Sequence, residues 1–266
     1  MEWLSESTEV MKFQTSESQK EIWLSCVIGG EDANRAYNES ISIEFEGYLD
    51  YPSLKKALNE VFVRHEILKC TFSVDGQHIT VGDQNPQIEV VQLYDLEPEK
   101  QDVEISRILE EQALLVFDLE SGPLTKVTII QKNFERNILV FTAHHLICDG
   151  WSTGVFLREL CQLYNSFYEG YGFKLETAPT YWEYADFEKE FLVSSQYERN
   201  LDFWKKEIGS NPIALRLETD FERSESRSFH GRRYDQELDF SVGKKLKQLS
   251  KDLGVSFFNL MLSSFE

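Results

Sequence analysis

The densest polar cluster in an apolar setting runs TAHHLICDGWS from Thr142 to Ser152, where His144, His145, Asp149 and Gly150 stand close together. It directly follows ILVF, which reads as a buried strand, and precedes a helical pattern. An imidazole with its ordinary pKa near 6.5 takes up or gives a proton at neutral pH. The junction of a strand end with a helix N-terminus also offers backbone N–H groups to a reacting oxyanion, and Gly150 would keep that approach uncrowded. Adjacent strand residues point to opposite faces, so His144 and His145 cannot both enter one cleft. One should act and the other support it. Asp149 either orients an imidazole or, if buried, needs a cation such as Arg64 to offset its desolvation.

Two blander readings stand beside this one: a histidine pair satisfied within the core, and a metal site. The metal site lacks a third ligand, because His65, His78 and His230 stand at no ligand spacing to the cluster. GxSxG occurs as GWSTG over 150–154, but inside the helical pattern rather than in the sharp strand-to-helix turn that a nucleophile elbow needs, and Cys26, Cys70, Cys148 and Cys161 lie in no clearly basic setting. Direct transfer between two bound substrates therefore fits better than covalent catalysis.

The elements that must hold this cluster are legible from periodicity. Ser16 and Gln19 have capping-box spacing ahead of a helix whose Ile22, Trp23, Cys26 and Val27 share one face. Ile41, Ile43 and Phe45 alternate with polar residues as a strand over 40–46, and Gly47 ends it. Pro52 suits the first turn of a helix reaching about Arg64, with a stripe of Leu54, Ala57, Leu58, Val61 and Phe62. LKCTFS and QHITV form a hairpin about Asp75-Gly76, IEVVQL a further strand, and 101–116 a helix. LTKVTII and ILVFTA pair centrally, the second buried on both faces. A helix from Trp151 stops near Gly170. After Pro179 a long aromatic helix is expected from Tyr181 onward to Trp204, then a polar, arginine-bearing stretch over 218–233 that looks like a lobe boundary. The last residues lie in an apolar helix beginning near Ser256 that has no closing cap, so the sequence is expected to be part of a larger domain.

With 266 residues, 41% of them hydrophobic and 13% aromatic, the composition is that of a globular protein rather than a disordered or collagen-like chain. The net charge is −19, and it is uneven. Residues 190–266 carry 12 Lys/Arg against 13 Asp/Glu, leaving 15 against 33 on residues 1–189. Such a field disfavours nucleic acid and anionic lipid as partners. No apolar run approaches a membrane span, the start MEWLSESTEVMKF has no basic-then-apolar order, and the scattered cysteines suggest reduced thiols. A cytoplasmic location is expected. Neither GxGxxG nor GxxxxGKS/T is present, so a nucleotide site has no support.

HHLICDG matches the HHxxxDG signature of the condensation domains of nonribosomal peptide synthetases. The resemblance spans nearly the whole chain: TSESQKEIWL is similar to the family's opening helix motif, RHEILKCTF to RHExLRTxF, FDLESGPL to FDLxxGPL and YWEYADFE to YxDYAxWQ. It implies an α/β fold of the chloramphenicol acetyltransferase type, a two-layer sandwich with a mixed central sheet and packed helices. Residues 1–175 would form the first lobe, carrying HHxxxDG, and 176–266 the linker helix and the opening of a second lobe whose remainder is missing. The implied reaction is amide-bond formation, in which an acyl or peptidyl group passes from a donor thioester to the amine of an acceptor aminoacyl thioester. Both substrates would be presented on the phosphopantetheine arms of donor and acceptor carrier domains, beside an adenylation domain, with no cofactor or metal bound by this domain itself.

Residue by residue, the resemblance puts His145 beside the acceptor amine, either taking its proton or holding it for attack. His144 supports the loop, Asp149 is structural in an ion pair with Arg64, Gly150 lines the substrate tunnel that the resemblance implies between the two lobes, and Trp151 and Ser152 continue its wall. Lys69 stands where the family pattern has arginine, and Cys70 departs from it as well. Lysine cannot reproduce a bidentate arginine contact. The alternatives are an epimerization domain of the same superfamily, disfavoured by Trp-Ser-Thr-Gly after Asp149-Gly150, and a non-catalytic carrier-docking lobe. Little activity is expected of the 266 residues alone.

Overall fold

Strand β7, Arg136–His144, is an inner strand whose last residue is the first of the two histidines. The computed structural model describes residues 11–82, 85–172, 174–212, 219–222, 228–231, 234 and 236–265. The first ten residues and much of the 218–233 stretch therefore lie outside the described residues. The chain divides into two units, Met1–Phe229 and His230–Glu266.

Among the described residues, the first unit holds two sheets. Strands β1 (Lys12–Gln14), β4 (His78–Val81) and β3 (Cys70–Phe72) form the smaller, in the order β1-β4-β3 and antiparallel throughout. Gly76, at φ 64°, makes the β3–β4 turn where the Asp-Gly pair predicts it. Three-residue β1 is too short to show alternation and was not expected. The larger sheet, in the order β2-β7-β6-β5, adds β2 (Asn38–Glu46), β6 (Thr125–Asn133) and β5 (Ile88–Gln92). Only the β5–β6 pairing is parallel, so the sheet is mixed.

Helix α1 (Glu17–Ala36) begins at Ser16 with the expected capping box. Helices α2 (Tyr51–Arg64) and α4 (Gly150–Glu169) pack on each other and cover one face of the larger sheet. Their apolar stripes meet Ile41, Ile43, Val127, Ile129, Leu139 and Phe141, with Phe141 stacked on Phe156 at 4.0 Å between ring centroids. Helix α3 (Pro98–Ala113) takes the opposite face, where Ile105 and Ile108 meet Ile130 and Val140. Odd and even residues of β7 thus enter two cores, which explains its unbroken apolar run.

The long aromatic helix is in fact two helices, α5 (Tyr181–Leu192) and α6 (Ser195–Ile208). Ser194 separates them: its hydroxyl accepts from the Tyr197 N–H at 3.2 Å and donates to the Phe191 carbonyl at 2.6 Å. A serine that satisfies the end of one helix and the start of the next favours a break that apolar periodicity alone does not signal. Helix α5 packs on β1, where Trp182 stacks on Phe13 at 4.3 Å. The second unit contains α7 (Phe240–Asp252), capped by Asp239, and α8 (Phe257–Phe265), in contact with each other. Among the described residues, no helix is long and apolar enough to cross a membrane.

Candidate functional site

At the end of β7 the two histidines part. His144 continues the strand's even face inward and is fully buried. Its N–H donates to the Leu124 carbonyl at 2.9 Å, and its Nδ1 accepts from the Leu146 N–H at 3.2 Å. That bond assigns the ring proton to Nε2, 3.8 Å from the Cys26 sulfur. The rings of Tyr37 and Phe117 lie 6.3 and 6.2 Å away. Burial, then the neighbouring His145, push the His144 pKa down to about 4, so the ring is neutral at pH 7.

His145 turns the other way. Its backbone N–H donates to the Tyr37 carbonyl at 2.7 Å, while its side chain stays 38% exposed. Its Nε2 lies 3.4 Å from Oε1 of Glu39, on β2. The turn closes through the Ile147 N–H, which donates to the His144 carbonyl at 2.9 Å, and through the Leu146 carbonyl, which accepts from Gln19 Nε2 at 2.9 Å. Burial raises the Cys148 thiol to about 11, so it stays protonated and unsuited to nucleophilic attack.

Asp149 is the N-cap of α4: Oδ1 accepts from the Ser152 N–H at 2.7 Å and from its hydroxyl at 2.6 Å. Those bonds, with His145 nearby, hold its carboxyl below the usual carboxylate range. The expected Arg64–Asp149 ion pair is not formed. Arg64 closes α2 and pairs instead with Glu159, Nε to Oε2 at 2.9 Å, and His65 Nε2 approaches the same oxygen at 2.7 Å. The physical reason is position along α4. Ten residues separate Asp149 from Glu159, about 15 Å at the rise of a helix, and the end of α2 lies level with the latter. The Asp149 cap also claims the Ser152 N–H, one of the first-turn donors expected to face an oxyanion. A Cβ built on Gly150 would meet no atom within 4 Å, so crowding by this chain's own atoms does not require the glycine.

Trp151 and Ser152 line a cavity of about 720 Å³ between the end of α2, α4 and residues 174–179. Its walls include Ile147, Cys148, Val155, Phe156 and the Arg64–Glu159 pair. Three residues that sequence reasoning missed complete the site: Gln19 under the turn, Glu39 beside the outward imidazole, and Glu159 as the partner of Arg64. Glu39 continues the alternation of Ile41, Ile43 and Phe45, a signal that places it on the same face of β2.

The family model described as the condensation domain matches residues 12–266. Chondramide synthase cmdD of Chondromyces crocatus is 33% identical over 257 residues, covering 94% of this chain and 6% of the synthase. Malpinin synthetase of Mortierella alpina is 30% identical over 252 residues, covering 93% of this chain and 3% of that protein. Among solved structures, the condensation domain from the monacolin K polyketide synthase MokA superposes with a TM-score of 0.77 at 20% identity, covering 96% of this chain and 59% of that one. The starter condensation domain of rhizomide synthetase RzmA gives 0.68 at 18% identity, over 75% of this chain and 48% of its own. The chain thus spans about half the length of these solved domains and a few per cent of the curated relatives.

Proposed function

The chain belongs to the condensation-domain family, and from that premise we propose that it carries the proton-handling half of an amide-forming site in a nonribosomal peptide synthetase. The observation that carries this reading is the divergence of the two histidines, one locked neutral inside the fold and one held by its backbone with its ring open to solvent. An imidazole so placed can take a proton from an incoming amine, or hold that amine by a hydrogen bond, as its nitrogen attacks a thioester carbonyl. The C–N bond forms, the C–S bond breaks, and the sulfur departs with the proton. The buried, protonated Cys148 thiol supports transfer between two bound substrates over an acyl-enzyme.

In this proposal the substrates are a donor acyl or peptidyl thioester and an acceptor aminoacyl thioester. Each rides on the phosphopantetheine arm of a carrier domain, in a cytoplasmic assembly that also contains an adenylation domain. The arm is substrate, and the domain needs no cofactor of its own. The cavity bordered by Trp151 and Ser152, with Ile147, Val155 and Phe156 on its apolar side and the Arg64–Glu159 pair on its charged side, supports their assignment to the substrate path. The test is single-turnover amide formation with both carriers loaded, in a polypeptide of full condensation-domain length carrying residues 12–266. His145→Ala is expected to abolish product; turnover equal to the parent would remove His145 from the mechanism.

A further inference from the structure

We propose that Glu39 binds the acceptor's amino group in its ammonium form and delivers it to His145. The proposal rests on the amide-forming reading above and names the substrate feature that this end of β7 recognises. Glu39 pairs across the strands with Ala143 and points to the face from which His145 emerges. Its Oε1 lies 3.4 Å from the His145 Nε2, and the two side chains are 35% and 38% exposed, so an arriving group can reach both. Among the described residues, no lysine or arginine lies within ion-pair distance of Glu39. Asp149, the other carboxylate near His145, is committed to Ser152. The remaining titratable neighbours are the Tyr37 phenol, whose ring lies edge-on to that of His145 at 6.4 Å, the protonated Cys148 thiol and the buried, neutral His144. The available charge at this spot is therefore negative and belongs to Glu39.

An α-amino group has an ordinary pKa of about 8 and arrives largely as a cation at pH 7, yet only its free electron pair attacks a thioester. Glu39 attracts that cation. The ammonium gives its first proton to solvent by way of the carboxylate, leaving the neutral amine against Nε2. His145 takes the second proton as the C–N bond forms and returns it to the sulfur as the C–S bond breaks. Thioester and ammonium become amide, thiol and one solvent proton.

The experiment compares Glu39→Gln with the parent at full domain length, varying the acceptor thioester at pH 6.5 and pH 9. At pH 6.5 the acceptor KM should rise about tenfold, or about 1.4 kcal/mol, with the effect on KM rather than kcat and the donor KM unmoved. At pH 9, where the amine is neutral, the KM ratio should shrink toward one. Glu39→Asp should restore part of the loss, which general loosening of the strand would not predict. Equal acceptor KM values at pH 6.5, with His145→Ala inactive, overturn the role of Glu39 and leave the amide-forming reading intact. Absence of product from the parent itself overturns that reading and the role of Glu39 with it.

Discussion

Gln19 Nε2 donates a 2.9 Å hydrogen bond to the Leu146 carbonyl, joining the first turn of α1 to the histidine turn across 127 positions of sequence. The same amide's Oε1 accepts from the Ser16 N–H at 3.2 Å, and Ser16 Oγ in turn accepts from the Tyr181 hydroxyl at 2.8 Å. The capping box of α1 thereby braces the turn that presents His145, with α5 attached behind it. Gln19 and Ser16 are both buried, so water cannot replace either partner. Gln19→Leu should cost about 2 kcal/mol by orphaning a carbonyl and an N–H. Urea denaturation measures the loss, and amide hydrogen exchange at Ile147 should accelerate; an unchanged midpoint would refute the brace.

Glu159 sits 9% exposed between Arg64 and His65 on the wall of the cavity that Trp151 borders. Glu159→Leu leaves the Arg64 guanidinium with no carboxylate in a site where its side chain is 17% exposed, and should cost about 3 kcal/mol. Adding Arg64→Met should recover most of that cost, because two apolar residues then face each other. Equal stability of the single and double variants would show that the pair is not coupled.

The capping geometry of Asp149 makes a prediction that separates it from a buried ion pair. Asparagine caps a helix about as well as aspartate, so Asp149→Asn should be nearly neutral, whereas Asp149→Ala should cost about 1 kcal/mol. A buried partner of Arg64 would instead lose heavily in both. The Ser152 bonds depress the folded-state pKa of Asp149, so the cap's ionic contribution is complete above the ordinary carboxylate pKa and fades as pH falls through the depressed value. Thermal melts of the two variants at pH 7 decide between the geometries.

These residues show which parts of the site the sequence displays and which it hides. The Ser16–Gln19 box, the alternation of β2 and the buried run of β7 are local patterns with fixed periods, and each forms where its period says. The opposed directions of His144 and His145 follow from the same strand geometry. The partner of Arg64 does not, because choosing between Asp149 and Glu159 requires knowing which turn of α4 meets the end of α2. The second bond of Gln19 is hidden for the same reason, since its acceptor is a backbone carbonyl without a side-chain signature. Glu39 stands in phase with Ile41, Ile43 and Phe45, a carboxylate on the apolar face of β2 whose purpose shows only when its register against Ala143 brings it to His145. The break at Ser194 is masked by aromatic residues that continue on both sides of it.

The buried imidazole of His144 ties stability to pH. Burial, reinforced by His145, lowers its folded-state pKa to about 4, while the unfolded chain keeps the ordinary value near 6.5. The unfolded state therefore binds the extra proton first. The stabilisation is complete above pH 6.5, and is lost as pH falls from there toward 4. Between pH 7 and pH 5 the loss should be about 2 kcal/mol from this group alone, in a range where most exposed carboxylates remain ionised. Replacing His144 with leucine removes the titration, and should flatten this part of the stability profile even though the variant loses the Leu146 contact and starts from a lower value. Urea midpoints for both proteins at pH 7, 6 and 5 measure the difference in slope. Parallel profiles would mean that the ring accepts a proton inside the folded core, and would remove the basis for assigning His144 a purely supporting part.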